Sequence, residues 1–375
     1  MQQNCDSSKP IKLRLPLLVT GITGVAGYNA LHYFQRQYPG QVTGIRPRQT
    51  WQVVCPSVVA IEAEDAAAVR ELFREFEFGS VLNCAGNCAL KSCELDPAMA
   101  WRLNVEAAAN VVENAVACGA RLVHLSSDLV FSGNGHGAYV ETDPIDPVTV
   151  YGKTMAEGER VVRAADTSAA MLRISLPMGP SFNGHAGAID WIQSRFRAGR
   201  PATLYFDEWR SCTYTDDLNR VFERFLAGTQ SGLFHCGGPR AITLYQIAQI
   251  VNRVGGYDPS LLRGCLRIEA GPLPPRAGNV SLSSDRLSGE LGQNPFRPWP
   301  NRNELFPTYR NWHFDRSAGA GSFREIVAHL YHCSPAAVAA SVLTGRLHRR
   351  AMFARRAAAG LAGVSSRQEL DKLSP

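Results

Sequence analysis

The stretch Thr20-Gly21-Ile22-Thr23-Gly24-Val25-Ala26-Gly27 follows a β-branched and leucine run over residues 11–20 and leads into a helix-like segment from Tyr28 to Gln37. Between a strand and a helix, glycines at this spacing suit dinucleotide binding. Gly21 lets the chain turn tightly, Gly24 lets backbone approach a pyrophosphate, and Gly27 lets the helix pack close to the strand. Thr23, Val25 and Ala26 then bring unpaired N–H groups and the positive end of the helix dipole to the phosphates. The following strand-like segment, Gln41 to Arg46, lacks the acid that would grip a ribose 2′-hydroxyl, and Arg46 and Arg48 stand there instead. An arginine pairs bidentately with a 2′-phosphate, so NADP is expected over NAD. The alternative reading of both arginines is solvated loop charge.

Other groups invite chemistry less clearly. Trp209, Arg210 and Tyr214 form either a clamp that stacks on a nucleotide and its diphosphate, or ordinary core aromatics. Asp216 and Asp217 read as paired carboxylates or, with Thr215, as the cap and first turn of a helix running to Ala227. The histidines show no His-x-x-x-His spacing, so no catalytic metal is expected. No Cys-x-x-Cys pair occurs, and most cysteines sit in apolar segments, as reduced buried thiols do in a cytosolic protein.

These residues need a scaffold. Up to about residue 165 strand and helix patterns alternate: helical over Asp65–Glu75, Pro97–Cys118 and Tyr151–Ala164, strand-like over Val81–Cys84, Arg121–Leu125 and Ala170–Ser175. Such alternation specifies a parallel sheet covered on both faces, and the strands are nearly all apolar, as buried parallel strands must be. The expected fold class is α/β, a doubly wound Rossmann-like sheet with a smaller substrate lobe and a helical C-terminal extension. Residues 11–177 form the NADP-binding domain in this reading, 178–300 the substrate lobe with chain exchange between lobes allowed, and 301–375 a linker and basic helices. The stretch Asn294 to Asn311, rich in Pro, Arg and Trp, reads as an extended wrap.

Composition agrees with a globular chain: 375 residues, 45% apolar and 19% charged. No apolar run approaches the ~18 residues of a membrane span, and no signal-peptide pattern opens the chain, so the expected location is the cytoplasm. The net charge is +6, and residues 317–375 hold eight Lys/Arg against three Asp/Glu. The body is therefore nearly neutral, and nucleic acid is not an expected partner there. The basic tail either docks a protein partner, a second copy or the body, or binds an anionic surface.

Several segments together resemble the extended short-chain dehydrogenases/reductases. Thr20 to Gly27 is similar to their TGxxGxxG turn, and Asn83-Cys84-Ala85-Gly86 to the motif that lines the cofactor cleft. Asn104, in Trp101 to Val105, matches the asparagine of the next helix. His124 to Phe131 resembles the segment carrying the active-site hydroxyl, and Tyr139 to Glu157 the stretch leading through the catalytic tyrosine. Asp207 to Leu218 and Asn279 to Leu287 resemble the branch of dTDP-4-dehydrorhamnose reductase and its relative, the regulatory β subunit of methionine adenosyltransferase. The resemblance spans roughly residues 11–300. It implies a nucleotide-sugar substrate, a pyrophosphate held at Gly21, Gly24 and Gly27, and Glu62 near the adenine. Ala85 and Gly86 would floor the cleft, with Leu176 and the rest of Ser175 to Met178 near the nicotinamide. Ser127 would orient the substrate oxygen and Tyr151 exchange the proton, with Asp128 beside them at the substrate or capping the next turn.

The family pattern is Tyr-x-x-x-Lys, and here position 155 holds methionine. Four helical residues advance 400°, so Tyr151 and Met155 share a face, whereas Lys153 at 200° points away. The family's lysine holds the nicotinamide ribose and lowers the tyrosine pKa. A unit charge ~4 Å away is worth about 4 kcal/mol at an effective dielectric of 20. Met155 fills that volume without the charge. The expectation is bound NADP with weak reductase turnover on a dTDP-linked 4-keto sugar; a coenzyme-binding regulatory subunit is the alternative. His185 or Arg210 would have to supply any substitute cation.

Overall fold

In a computed structural model, the described residues are 12–50, 53, 57–184, 186–315 and 331. In chain order the strands are β1 (Leu17–Val19), β2 (Val42–Arg46), β3 (Val58–Ala60), β4 (Ser80–Asn83), β5 (Arg121–Ser127), β6 (Ala170–Ile174), β7 (Pro177–Met178), β8 (Ala202–Tyr205), β9 (Trp209–Arg210), β10 (Thr213–Tyr214), β11 (Gly232–Cys236), β12 (Ile242–Thr243) and β13 (Leu262–Cys265). The helices are α1 (Val25–Gln37), α2 (Ala66–Phe76), α3 (Leu90–Leu95), α4 (Pro97–Trp101), α5 (Ala107–Ala117), α6 (Val150–Ala165), α7 (Ala188–Arg197), α8 (Thr215–Ala227), α9 (Leu244–Val254) and α10 (Asp285–Leu291).

Seven parallel strands make the central sheet in the order β11-β6-β5-β4-β1-β2-β3. Strand order reverses between β1 and β4, and the crevice at their carboxyl ends is where an open α/β sheet takes its ligand. Both faces are covered, as the apolar strands require. One face buries Leu17, Val19 and Leu82 with Leu31 and Phe34 of α1 and Phe222 and Phe225 of α8. The other buries Leu18 and Val81 with Leu72 of α2 and Val111 and Val112 of α5. The doubly wound α/β fold read from the alternation is thus the observed one.

Helix starts follow side-chain chemistry. Asp65 caps α2 through the Ala68 N–H, Thr149 caps α6 through the Gly152 N–H, and Thr243 with Gln246 closes a capping box on α9. The expected continuous helix over Pro97–Cys118 instead contains a wide π turn over Arg102–Glu106, which carries Asn104. Such turns concentrate at functional sites. β3 and α3 had no periodic signal of their own.

The smaller lobe has a separate apolar cluster in which Met178, Ile189, Ile192, Tyr214, Ile247 and Trp299 meet. The chain crosses between lobes: α8 and β11 return to the main sheet although their residues fall within 178–300. Asp217 does more than start α8. It is fully buried, accepts the Arg297 N–H at 3.0 Å and pairs with the Arg297 guanidinium at 2.7 Å, pinning the extended wrap. The wrap continues over α9, where the Tyr245 hydroxyl donates to Arg310 O and the Gln249 amide to Tyr309 O. The expected basic helices of the C-terminal extension lie outside the described residues.

A buried ion pair ties the sheet to α6. Arg173 of β6 meets Glu159 at 2.8 Å through both Nε and Nη2, the Ser126 hydroxyl donates to the same carboxylate at 2.5 Å, and the Arg173 guanidinium lies 5.1 Å from the Phe131 ring centre. Breaking one partner leaves an uncompensated buried charge. Arg173→Met alone is expected to lower unfolding free energy by about 3–5 kcal/mol in urea titrations. Adding Glu159→Leu should return most of that loss, and a double variant as weak as the single one would contradict the account.

Candidate functional site

The turn after β1 is shaped by what cannot be there. Gly21 has φ +61°, and a Cβ on it would lie 2.0 Å from Cys84 O. A Cβ on Gly27 would lie 2.4 Å from Gly21 O, so α1 and the turn touch through backbone. Gly24, at the N-cap of α1, has more room, 3.4 Å to Gly21 O, and makes no side-chain cap bond. The first N–H groups of α1, at Val25 and Ala26, therefore stay available to an anion. Thr20, just before Gly21, knits the two strand ends together. Its hydroxyl donates to Asn83 Oδ1 at 2.6 Å and accepts the Cys84 and Ala85 N–H groups at 3.0 Å. Ala85 and Gly86 are thereby held beside the glycine turn, with Thr23 half-buried within it. A backbone cradle that side chains would fill, against an uncapped helix start, fits a dinucleotide.

The other expected cofactor residues surround this cradle unevenly. The Arg46 guanidinium folds back onto its own loop, donating to Val53 O at 3.0 Å and to Pro47 O at 3.1 Å. Arg48 is exposed, and its N–H donates to Glu62 Oε1 at 2.9 Å. Those two residues are thus joined, with the Arg48 side chain the freer cation of the pair at the end of β2. Asn104 is buried; its Oδ1 accepts the Asn87 N–H at 2.6 Å and its Nδ2 donates to Thr154 Oγ1 at 2.8 Å, linking the loop after β4 to α6. A Cβ on Gly86 would lie 3.1 Å from Asn104 Oδ1 and 3.8 Å from Met155 Sδ. Met155 thus lies against the cleft floor.

Ser127 ends β5, and Tyr151 lies in the first turn of α6. Ser127 Oγ accepts the Leu129 N–H at 3.2 Å. Tyr151 and Met155 are buried in one cluster with Cys93 and Phe131, while Lys153 is exposed, as the helical angles require. Burial drives the Tyr151 phenol far above its ordinary pKa. The nearby Cys88, Asp128 and Cys93 push the same way, and the Ser127 hydroxyl beside it pulls the other way.

The residues expected at the substrate sit differently. Asp128 is buried, with Oδ1 accepting from Ser127 and Oδ2 accepting the Ser175 hydroxyl at 2.7 Å and lying 3.6 Å from Arg210 Nε. Burial raises its pKa, against the opposing pull of Arg210. Arg210 is held by Glu208 at 2.7 Å as well, so it is engaged between two carboxylates and does not stand in for the missing lysine. Tyr214 is fully buried, and its hydroxyl accepts the Asn301 N–H at 2.9 Å. Trp209 is half-buried and paired in β9 with Thr243. Arg210 and Tyr214 thus sit in a buried polar frame, with the half-buried Trp209 at its edge. Leu176 follows β6, and its carbonyl accepts the Thr213 N–H at 3.3 Å. His185 lies outside the described residues. Sequence reasoning missed Thr20 and Glu208. A hydroxyl ending the first strand and an acid two residues from a buried arginine were the available signals.

The Tyr151 environment yields a direct test. A lysine at 155 stabilises phenolate, so in Met155→Lys the phenol is expected to ionise at least about one pH unit lower than in the parent chain. Ultraviolet difference titration, with Tyr151→Phe subtracted, reads this. Identical curves would show that position 155 does not sense the phenol.

The chain is 32% identical over 249 residues to a probable dTDP-4,6-dihydroxy-2-methyloxan-3-one 4-ketoreductase of Streptomyces antibioticus, covering 64% of this chain and 81% of that protein. It is 30% identical over 289 residues to methionine adenosyltransferase 2 subunit beta of Mus musculus, covering 75% and 84%. A dTDP-4-dehydrorhamnose reductase of Bacillus anthracis, solved in complex with NADP, superposes with a TM-score of 0.64 at 18% identity, covering 78% of this chain and 96% of that one, a likeness of fold. Residues 15–306, which hold the glycine turn, Ser127, Tyr151 and the polar frame, match the RmlD substrate binding domain family, and the chain belongs to that family.

Proposed function

We propose that the protein binds NADP, with NAD as a weaker ligand, and reduces a 4-keto group on a nucleotide-linked deoxysugar slowly. The observation that carries this reading is the Ser127 hydroxyl beside the Tyr151 phenol, with buried Met155 one turn further along α6 against Gly86. Gly21, Gly24 and Gly27, with the first amides of α1, would hold the pyrophosphate, and Arg48 with Arg46 the 2′-phosphate. When bound, the coenzyme supplies a hydride. Ser127 orients the carbonyl oxygen of the sugar and Tyr151 donates the proton to it. A phenol with a raised pKa remains protonated at neutral pH, which suits donation. Met155 offers no charge to ease departure of that proton, and a poorly tuned acid loses about 10²–10⁴-fold in rate. In this reading residues 11–177 chiefly carry the coenzyme and 178–300 the sugar nucleotide.

A second reading is a coenzyme-binding regulatory subunit with no turnover. Met155 favours it, as does the likeness to methionine adenosyltransferase 2 subunit beta.

Following NADPH consumption with a dTDP-linked 4-keto-6-deoxy sugar separates the two. Slow turnover in the parent chain, raised about 10²-fold or more by Met155→Lys and abolished by Tyr151→Phe, is the expected pattern. Coenzyme binding with no turnover in either the parent or Met155→Lys would hand the case to the regulatory reading. Coenzyme choice is tested apart from turnover: Arg48→Ala is expected to weaken NADPH about tenfold in a fluorescence titration and to leave NADH nearly unchanged. Equal losses for both coenzymes would remove Arg48 from the 2′-phosphate.

A further inference from the structure

Tyr331 belongs to the C-terminal extension, beyond the matched family region, yet it is 2% exposed and sits in the smaller lobe's apolar cluster with Met178, Ile189, Ile192 and Phe196. Its hydroxyl donates to Asp190 Oδ1. Asp190 is itself buried in the first turn of α7. Its Oδ2 accepts the Ser181 N–H at 3.1 Å and the Ser181 hydroxyl at 2.5 Å. Ser181 Oγ in turn accepts the Ala186 N–H at 3.2 Å.

The same segment rests on the coenzyme lobe. Pro180 O accepts from Asn29 Nδ2 at 2.9 Å, and that nitrogen also donates to Val25 O at 2.7 Å, in the first turn of α1. A Cβ on Gly187 would lie 3.3 Å from Val25 Cγ2. A continuous run of hydrogen bonds therefore links Tyr331, Asp190, the Pro180–Ser181 stretch and Asn29 to the helix start that faces the pyrophosphate.

We propose that Tyr331 is a positioning residue that, through Asp190, holds Pro180, Ser181 and Gly187 against the first turn of α1 and so sets one edge of the coenzyme cleft. The chemistry supports this role over simple packing. A phenylalanine would fill the apolar cluster equally well, whereas the hydroxyl specifically supplies a donor to a buried carboxylate whose other oxygen orders Ser181. Hydrogen bonds to a buried charged acceptor are strong and directional, so the loss of one loosens what that acceptor organises. The consequence for affinity rests on the coenzyme reading above, but the anchoring does not.

The test uses the full chain with Tyr331→Phe, which keeps the ring, and Asp190→Asn. Backbone hydrogen exchange without coenzyme is expected to quicken about tenfold at the Ser181 and Ala186 amides in Tyr331→Phe, in proportion to one charged hydrogen bond. NADPH affinity should fall about fivefold to tenfold, alongside the modest drop in urea midpoint that one lost hydrogen bond to a buried carboxylate carries, and the affinity loss is the readout that a purely structural role would not move. The double variant should lose less than the sum of the singles, because both act through one bond. Unchanged exchange at both amides, or faster exchange with undiminished coenzyme affinity, would overturn the proposal. If the parent chain binds no nicotinamide coenzyme, the coenzyme reading fails by itself, and the exchange rates alone decide the anchor.

Discussion

The contact between the end of β1 and the end of β4 governs this molecule. The Thr20 hydroxyl is both donor to Asn83 and acceptor for two successive amides, so it spends its hydrogen-bonding capacity fixing one strand end on the other. Gly21 follows at a backbone angle, and in a space, that only glycine tolerates. These two residues set where α1 begins, how its uncapped amides face the crevice, and how near Ala85 and Gly86 come. Asn83 extends the arrangement sideways, its amide lying 3.1 Å from His124 Nδ1 on β5. Burial lowers the His124 pKa to about 4, so the ring is neutral at physiological pH and accepts that amide proton through Nδ1. Three neighbouring strands are thereby registered at the ends that carry the candidate chemistry.

A second close approach seats the helix with Tyr151. A Cβ on Gly152 would lie 2.1 Å from Leu129 O, and one on Gly158 would lie 2.9 Å from Asn104 O. Two glycines on α6 thus let it lie directly on the turn after Ser127 and on the π turn that holds Asn104. Position 155 stands between them and has little freedom to choose its direction. Whatever side chain occupies it faces the Gly86 floor. The methionine there is an outcome of side-chain identity alone, in a backbone that would direct any side chain at 155 the same way.

How far the sequence could be read follows from where the determining contacts lie. The glycine turn, the apolar parallel strands and the spacing of Tyr151, Lys153 and Met155 are local, so periodicity and backbone sterics exposed them. The alternation also foretold the covered sheet. What stayed hidden depends on partners far along the chain. Arg210 meets Asp128 across 82 positions, and Asp217 meets Arg297 across 80, so neither could be told from a ligand-facing charge by local pattern. Tyr214 reads as a stacking aromatic until the wrap brings Asn301 onto its hydroxyl. Arg46 and Arg48 look equivalent in sequence, yet one curls onto its own loop carbonyls and the other does not. The short β3 and α3 lack the length for a period to emerge.

The electrostatics of the Tyr151 pocket also bear on the direction of chemistry. A tyrosine flanked by a lysine can act as base or acid, because the cation makes phenolate accessible near neutral pH. Here burial, Asp128 and the neighbouring cysteines disfavour phenolate, and the Ser127 hydroxyl counters them in part. The neutral phenol retains its proton and can donate it, whereas abstracting one from an alcohol first requires an anion that this pocket opposes. Removing the lysine therefore does not weaken both directions equally. In the proposed reductase it would penalise alcohol oxidation more than carbonyl reduction, because the neutral Tyr151 phenol still has a proton to give. The two proposed readings, a slow reductase and a coenzyme-binding subunit, would then differ in whether proton delivery from a neutral phenol keeps pace with the lifetime of a bound sugar.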